Sequence, residues 1–178
     1  MHLIQEEKVN VPIELYTDIY KLSEYFQTPN FTAALDKTRE ESSDLNFQIQ
    51  ILYDSETAKK ILETKLLSKI ENFLKERINQ CLKNKKFKKL SMPTICRIIE
   101  QSKKNVDLNL LVDFILESAH TRFILFRFIE LDKIKEKKAN DLIQFIDEQD
   151  ETTKNMYLEY MPFNLSFIKN LMNTKDQH

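Results

Sequence analysis

The sequence predicts an all-α fold, and three observations carry that expectation. The chain of 178 residues contains no glycine. Glycine supplies the positive φ of tight two-residue hairpins, so its absence disfavours hairpins and favours helices. Apolar residues also recur at helical rather than alternating spacing along most of the chain. Finally, Pro, Asn, Asp and Ser stand where helices need to start or stop. Hydrophobic residues make up 42 % of the chain, enough for a core in one domain of this length. The expected architecture is about eight helices stacked as antiparallel hairpins.

Val11-Pro12 opens the first helix, with Pro suited to the first helical position. Ile13, Tyr16, Ile19, Tyr20, Leu22 and Phe26 follow at helical spacing. Thr28-Pro29-Asn30 stops that helix, and Asn30 is placed to cap the next one, over residues 31–40. After a polar joint, Leu45, Phe47, Ile49 and Ile51 alternate like a strand, whereas Leu45, Ile49, Leu52 and Tyr53 fit a helix. No hairpin partner lies nearby, so helix is the expectation. Asp54-Ser55 offers a cap for a long amphipathic helix over 56–82, whose stripe runs through Ala58, Ile61, Leu62, Leu66, Ile70, Phe73, Leu74, Ile78 and Leu82. A lysine-rich turn follows, with Phe87 and Leu90 as anchors. Met92-Pro93 opens a helix with Ile95, Ile98 and Ile99 inward, and Asp107 caps one carrying Leu108, Leu111, Val112 and Ile115. His120-Thr121 breaks it before the apolar run 123–129, and two more helices are expected at 136–147 and 163–172. Met92-Pro93 is echoed by Met161-Pro162, and residues 110–115 by 141–146. Stacked helical hairpins would produce such echoes, and so would coincidence between amphipathic helices.

Lys+Arg total 27 and Asp+Glu 28, and a net charge of −1 favours no class of partner. The distribution is less even. Residues 68–104 hold eleven basic and three acidic side chains, a balance of +8 that leaves −9 for the rest. Lys83, Lys85, Lys86, Lys88 and Lys89 are its densest part, a candidate basic patch. Clustered lysines around an aromatic can hold a nucleic-acid backbone by counterion release. They also complement the C-terminal dipole of the preceding helix, and without arginine they lack bidentate recognition.

Catalytic chemistry finds little to use. Glycine-rich phosphate loops and glycine-based nucleophile elbows are excluded. His2, His120 and His178 are the only histidines, and two of them lie at the termini. Cys81 and Cys96 have no nearby His and form no CxxC pair, so they read as buried free thiols of a reducing compartment. Asp147, Glu148, Asp150 and Glu151 form an acidic run without the glycine of an EF-hand loop, and a solvated loop is expected there. Phe114, Phe123, Phe126 and Phe128 fit a core at helical spacing, with a peptide groove as the other option. No signal-peptide pattern and no membrane-length apolar run is present, so an intracellular protein, cytoplasmic or nuclear, is expected. No catalytic residue, metal or cofactor is assigned.

Residues 11–31, VPIELYTDIYKLSEYFQTPNF, resemble the closing helices of a BTB (POZ) domain. There a helix ends in Tyr-hydrophobic-Gln-hydrophobic-Pro. Tyr25-Phe26-Gln27-Thr28-Pro29 matches that ending, with Thr28 in place of the aliphatic residue. The stretch from Glu56 to Ala119 is similar to a BACK region, with Phe87, Leu90, Pro93, Ile98 and Ile99 close to its fixed positions. The arrangement resembles lineage-expanded BTB proteins of single-celled eukaryotes and covers about two thirds of the chain. It implies truncated BTB-like helices at 1–41, a BACK-like region at 45–131 and a helical extension at 132–178 packed on the same core. A BTB domain begins with strands and helices that this chain lacks, so the resemblance implies a truncated relative or a partial gene product, with no BTB-type dimer assumed. It further implies a non-catalytic protein-interaction scaffold or adaptor, with a cullin-type ubiquitin ligase as partner. The helix pair bearing Leu45, Ile49, Leu52, Ile61 and Leu66 is the surface where that partner would bind. A basic nucleic-acid-binding module is the alternative. The oligomeric state is left open.

Overall fold

Helices dominate the described residues, 11–57 and 64–161, of a computed structural model of the protein. Ten α-helices and three short 3-10 turns occur among them, and no strand. The all-α expectation holds. The count exceeds the expected eight partly because two helices are single turns. By contacts the chain divides into two compact units. The first takes residues 11–57, 64–77 and 84–91 of the described chain, and the second takes 78–83 and 92–161. The joint expected at 41–45 lies inside the first unit, and the one at 131–132 inside the second.

In the first unit, α1 spans Ile13–Tyr25, α2 Pro29–Glu41, α3 Leu45–Thr57 and α4 Thr64–Glu76. Pro12 stands just before α1 as its N-cap, and Pro29 occupies the first position of α2. Asn30 is therefore inside α2 and not its cap, because a proline without an N–H fits that first turn better. The ambiguous segment at 45–53 is helical, as expected. Its buried residues Phe47, Ile49, Ile51 and Leu52 form the middle of the unit's core, with Tyr16 and Leu35. Tyr16 meets Phe47 edge to face at 4.9 Å and donates its hydroxyl to the Leu35 carbonyl at 2.7 Å. Burial holds its phenol well above the ordinary tyrosine range. Thus one side chain joins α1 to both α2 and α3.

The single helix expected over 56–82 is corrected. Asp54 and Ser55 lie within α3, where Asp54 accepts from Thr17 and from Gln50 (2.7 Å) and so is occupied away from any cap. Residues 58–63 and the side chain of Leu66 lie outside what the structure describes. Farther on, the helix is interrupted at Arg77, whose amide bonds the Leu74 carbonyl three residues back and whose guanidinium lies 4.0 Å from the Phe73 ring centre. Ile70 and Leu74 are nevertheless buried, as the stripe requires.

The second unit contains α5 (Ile78–Cys81), α6 (Met92–Gln101), α7 (Leu108–Leu116), α8 (Ala119–Arg122), α9 (Glu136–Asp147) and α10 (Glu151–Glu159). Ile95, Ile98 and Ile99 of α6 and Leu111, Val112 and Ile115 of α7 are buried, as their spacing predicts. The run 123–128 is a 3-10 turn, and Phe126 and Phe128 are core residues like Phe114. Helices α7 and α9, which carry the sequence echo, pack against each other, with Lys138 bonded to Asp113. The acidic run is not a plain solvated loop. Asp150 accepts from the amides of Thr152 and Thr153 and caps α10, and Lys154 binds Asp147 at 2.7 Å. Helix α10 brings Tyr157 into an aromatic cluster with Phe126 at 5.4 Å and Phe145 at 6.0 Å. The helix expected at 163–172 lies outside the described residues.

Asp107 caps α7, with bonds from the amides of Asn109 (2.9 Å) and Leu110. Burial pushes its carboxyl upward, but the Asn109 side chain and these two amides outweigh that and hold it below the usual carboxylate range. A carboxyl lowered in the folded state adds stability above its unfolded pKa and loses it as pH falls through the folded value. Asp107→Ala is expected to cost about 1 kcal/mol at neutral pH. Asp107→Asn keeps the cap without ionising and removes this share of the acid-side loss. Urea unfolding at neutral and acidic pH checks both, and an unchanged acid dependence in Asp107→Asn would contradict the assignment.

Candidate interaction surface

The residues expected to meet a partner on the third and fourth helices are placed differently by the structure. Ile49 and Leu52 are core residues, and Leu45 is half-buried. Ile49 and Leu52, this deep, hold α3 in its unit and offer no surface to a partner. Ile61 and the Leu66 side chain lie outside the described residues.

The lysine cluster is contiguous in sequence but divided by the fold. Lys83 is exposed in the second unit, whereas Lys85, Lys86, Lys88 and Lys89 surround one turn of the first. Asn84 shapes that turn. Its side-chain oxygen accepts from the amides of Lys86 (2.8 Å) and Phe87 (3.2 Å), and its amide donates to Asn46 at 2.7 Å. Phe87 and Leu90 are buried anchors, as expected. The aromatic beside the lysines is thus used by the core and is withdrawn from base stacking.

Among the described residues no group of three His, Cys, Asp or Glu side chains could hold a metal ion. His120 is exposed on α8, and His2 and His178 are outside the described residues. Cys81 and Cys96 are buried, and burial pushes the Cys96 thiol up, away from a reactive thiolate. No described helix is long and apolar enough to cross a membrane. In the second unit a cavity of about 520 Å³ has Ile99 and Phe128 in its wall, with Lys103, Lys104, Lys133 and Glu130 around them. Glu130 is bonded to Lys133, and the two charge signs together select no single ligand.

The most distinctive surface is the corner between α1 and α2. Leu22 is 53 % exposed, Tyr25 79 % and Phe26 66 %, and Leu15 and Phe31 are the other large hydrophobics left open to solvent among the described residues. Leu15, Leu22, Tyr25 and Phe26 follow at i, i+7, i+10 and i+11, one stripe along α1. Tyr16 lies on the opposite, buried side. The two rings at its end stack edge to face at 5.2 Å.

The corner is closed by a specific backbone device. Gln27 has φ of 51°, the one positive φ among the described residues. The Gln27 amide bonds the Glu24 carbonyl at 3.1 Å and the Thr28 amide bonds the Ser23 carbonyl at 3.0 Å. These are the two bonds of a Schellman ending, with Gln27 in the left-handed position usually given to glycine. Thr28 and Thr32 add hydroxyl bonds to Ser23 at 3.0 Å each, a polar lock where this motif commonly has an apolar contact. A cavity of about 490 Å³ lies against this lock, between Gln27 and Asp36.

Sequence reasoning found the helix and its stop and placed Leu22 and Phe26 at helical spacing, without telling an inward face from an outward one. The signal was present: apolar residues occur on two sides of a 13-residue helix, and one core can use only one side.

A side-chain-bearing residue in the left-handed region costs about 1 kcal/mol relative to glycine. Gln27→Gly is therefore expected to raise stability by about 1 kcal/mol in urea unfolding, and Gln27→Val to lower it. No gain in the glycine variant would mean that solution molecules do not adopt this turn.

No family model matches the chain, and no curated protein and no solved structure matches it.

Proposed function

We propose that the chain is a non-catalytic protein-interaction module whose docking surface is the α1–α2 corner. The observation that carries this reading is the exposure of Leu22, Tyr25 and Phe26 together, on a turn held rigid by the Gln27 ending. An exposed aromatic pair beside an aliphatic stripe is the composition of an interface centre. A fixed backbone lowers the ordering cost of binding. Tyr25, Phe26, Gln27 and Pro29 also belong to the segment that resembles the end of a BTB domain. That resemblance supports an adaptor role and makes a cullin the first partner to try.

Purified cullin offered to the immobilised full chain provides the test. Retention is expected, with affinity falling at least about tenfold in Tyr25→Ser/Phe26→Ser, as for a central aromatic pair. Circular dichroism of this variant should match the wild type, since both side chains are outside the core. Retention unaffected by the substitutions would overturn the corner as docking surface. No retention at all would remove the cullin.

A further inference from the structure

We infer that the open face of α1 receives an amphipathic helix of another protein, one that sets a lysine or arginine against Asp18. The inference rests on the reading of the corner as a docking surface and names the chemistry of its partner. Leu15, Asp18, Leu22 and Tyr25 follow at i, i+3, i+7 and i+10. That is the a and d spacing of a helix-pairing seam, carried along a 13-residue helix. Leu15, Leu22 and Tyr25 are exposed, and Phe26 continues the apolar surface beside them. The seam is turned away from the unit's own core. On the other side of α1, Tyr16 reaches Leu35 and Phe47, and Thr17 reaches Asp54.

Asp18 decides the occupant. Its side chain is 73 % exposed and stands inside the seam, between Leu15 and Leu22. Lys21 flanks the seam, and its ammonium lies 3.8 Å from the Asp18 carboxylate, beyond hydrogen-bond distance. The carboxylate can therefore still accept from a closer donor. A purely apolar helix laid on the seam would strip water from Asp18 and give it no partner, which opposes binding. A second copy fares no better. Paired in parallel it sets Asp18 against Asp18, and paired antiparallel with Leu15 against Tyr25 it sets Asp18 against Leu22. A cation on a foreign helix satisfies the carboxylate and fixes the register, as a single polar residue in such a seam does. The apolar neighbours then keep water from the pair.

Fluorescence anisotropy of labelled peptides titrated with the full chain tests this assignment. Two helical peptides of about three heptads are compared, with Leu at a and d and either Lys or Glu at one central core position. The Lys peptide is expected to bind at least about tenfold tighter than the Glu peptide, as opposite charges do against like charges in a desolvated contact. Asp18→Lys should reverse that order. Tyr25→Ser/Phe26→Ser should lose both peptides, with an unchanged circular dichroism spectrum. A Lys peptide that does not bind, equal affinity for the two peptides, or an order that Asp18→Lys leaves unchanged overturns the inference. So does a full chain whose sedimentation mass doubles, or that floats with phosphatidylcholine vesicles, only while Tyr25 and Phe26 are present. The face then belongs to a second copy or to a membrane. Cullin retention that depends on Tyr25 and Phe26 but not on the charge at position 18 removes the cationic helix while the docking reading stands.

Discussion

Every helix leaves carbonyls at its C-terminus that the helix itself cannot satisfy, and this chain must close them without glycine. That constraint explains much of the polar chemistry inside both units. Gln48, buried in α3, donates to the Arg39 and Ser42 carbonyls at 3.1 and 2.9 Å and closes the end of α2. Arg122, also buried, donates to the Phe114 carbonyl near the end of α7 and lies 4.1 Å from the Phe114 ring centre. A cation there also opposes the negative end of the helix dipole. Gln149 reaches back to the Phe145 carbonyl of α9 at 2.9 Å. These side chains would read as functional polar groups if their partners were ignored. Each is a local substitute for a left-handed glycine.

The α1–α2 corner is the exception, and its difference is informative. There the left-handed position itself is filled, by Gln27, and no distant side chain is needed. The strain is small but specific, and strained backbone tends to collect where a surface has work to do. The turn follows directly on Tyr25 and Phe26, which stand exposed at the end of α1. The Thr28 and Thr32 hydroxyls tie it to Ser23.

Much of the fold could be read in the sequence because its determinants are local. The cap at Asp107, the anchors Phe87 and Leu90, and the inward faces of α6 and α7 follow from periodicity and capping chemistry that act over one or two turns. The failures have other causes. The occupation of Asp54 depends on Thr17, thirty-seven residues away in sequence. Asp150 as a cap was hidden by its acidic neighbours. For the candidate surface the loss was greater. The same periodicity that marks Ile49 and Leu52 as apolar cannot say whether they face a core or a partner, and here they face the core. Conversely, Tyr25 and Phe26 emerge as surface only once Tyr16 and Phe47 have taken the inner side of α1.

The central claim is that the corner is a preformed platform whose geometry is set by Gln27. Backbone NMR of the full chain tests it most directly. Left-handed chemical shifts at Gln27, with a Thr28 amide protected from exchange by its bond to the Ser23 carbonyl, are the expected result. Helical or averaged shifts at Gln27, with Thr28 exchanging at the rate of an open amide, would contradict it.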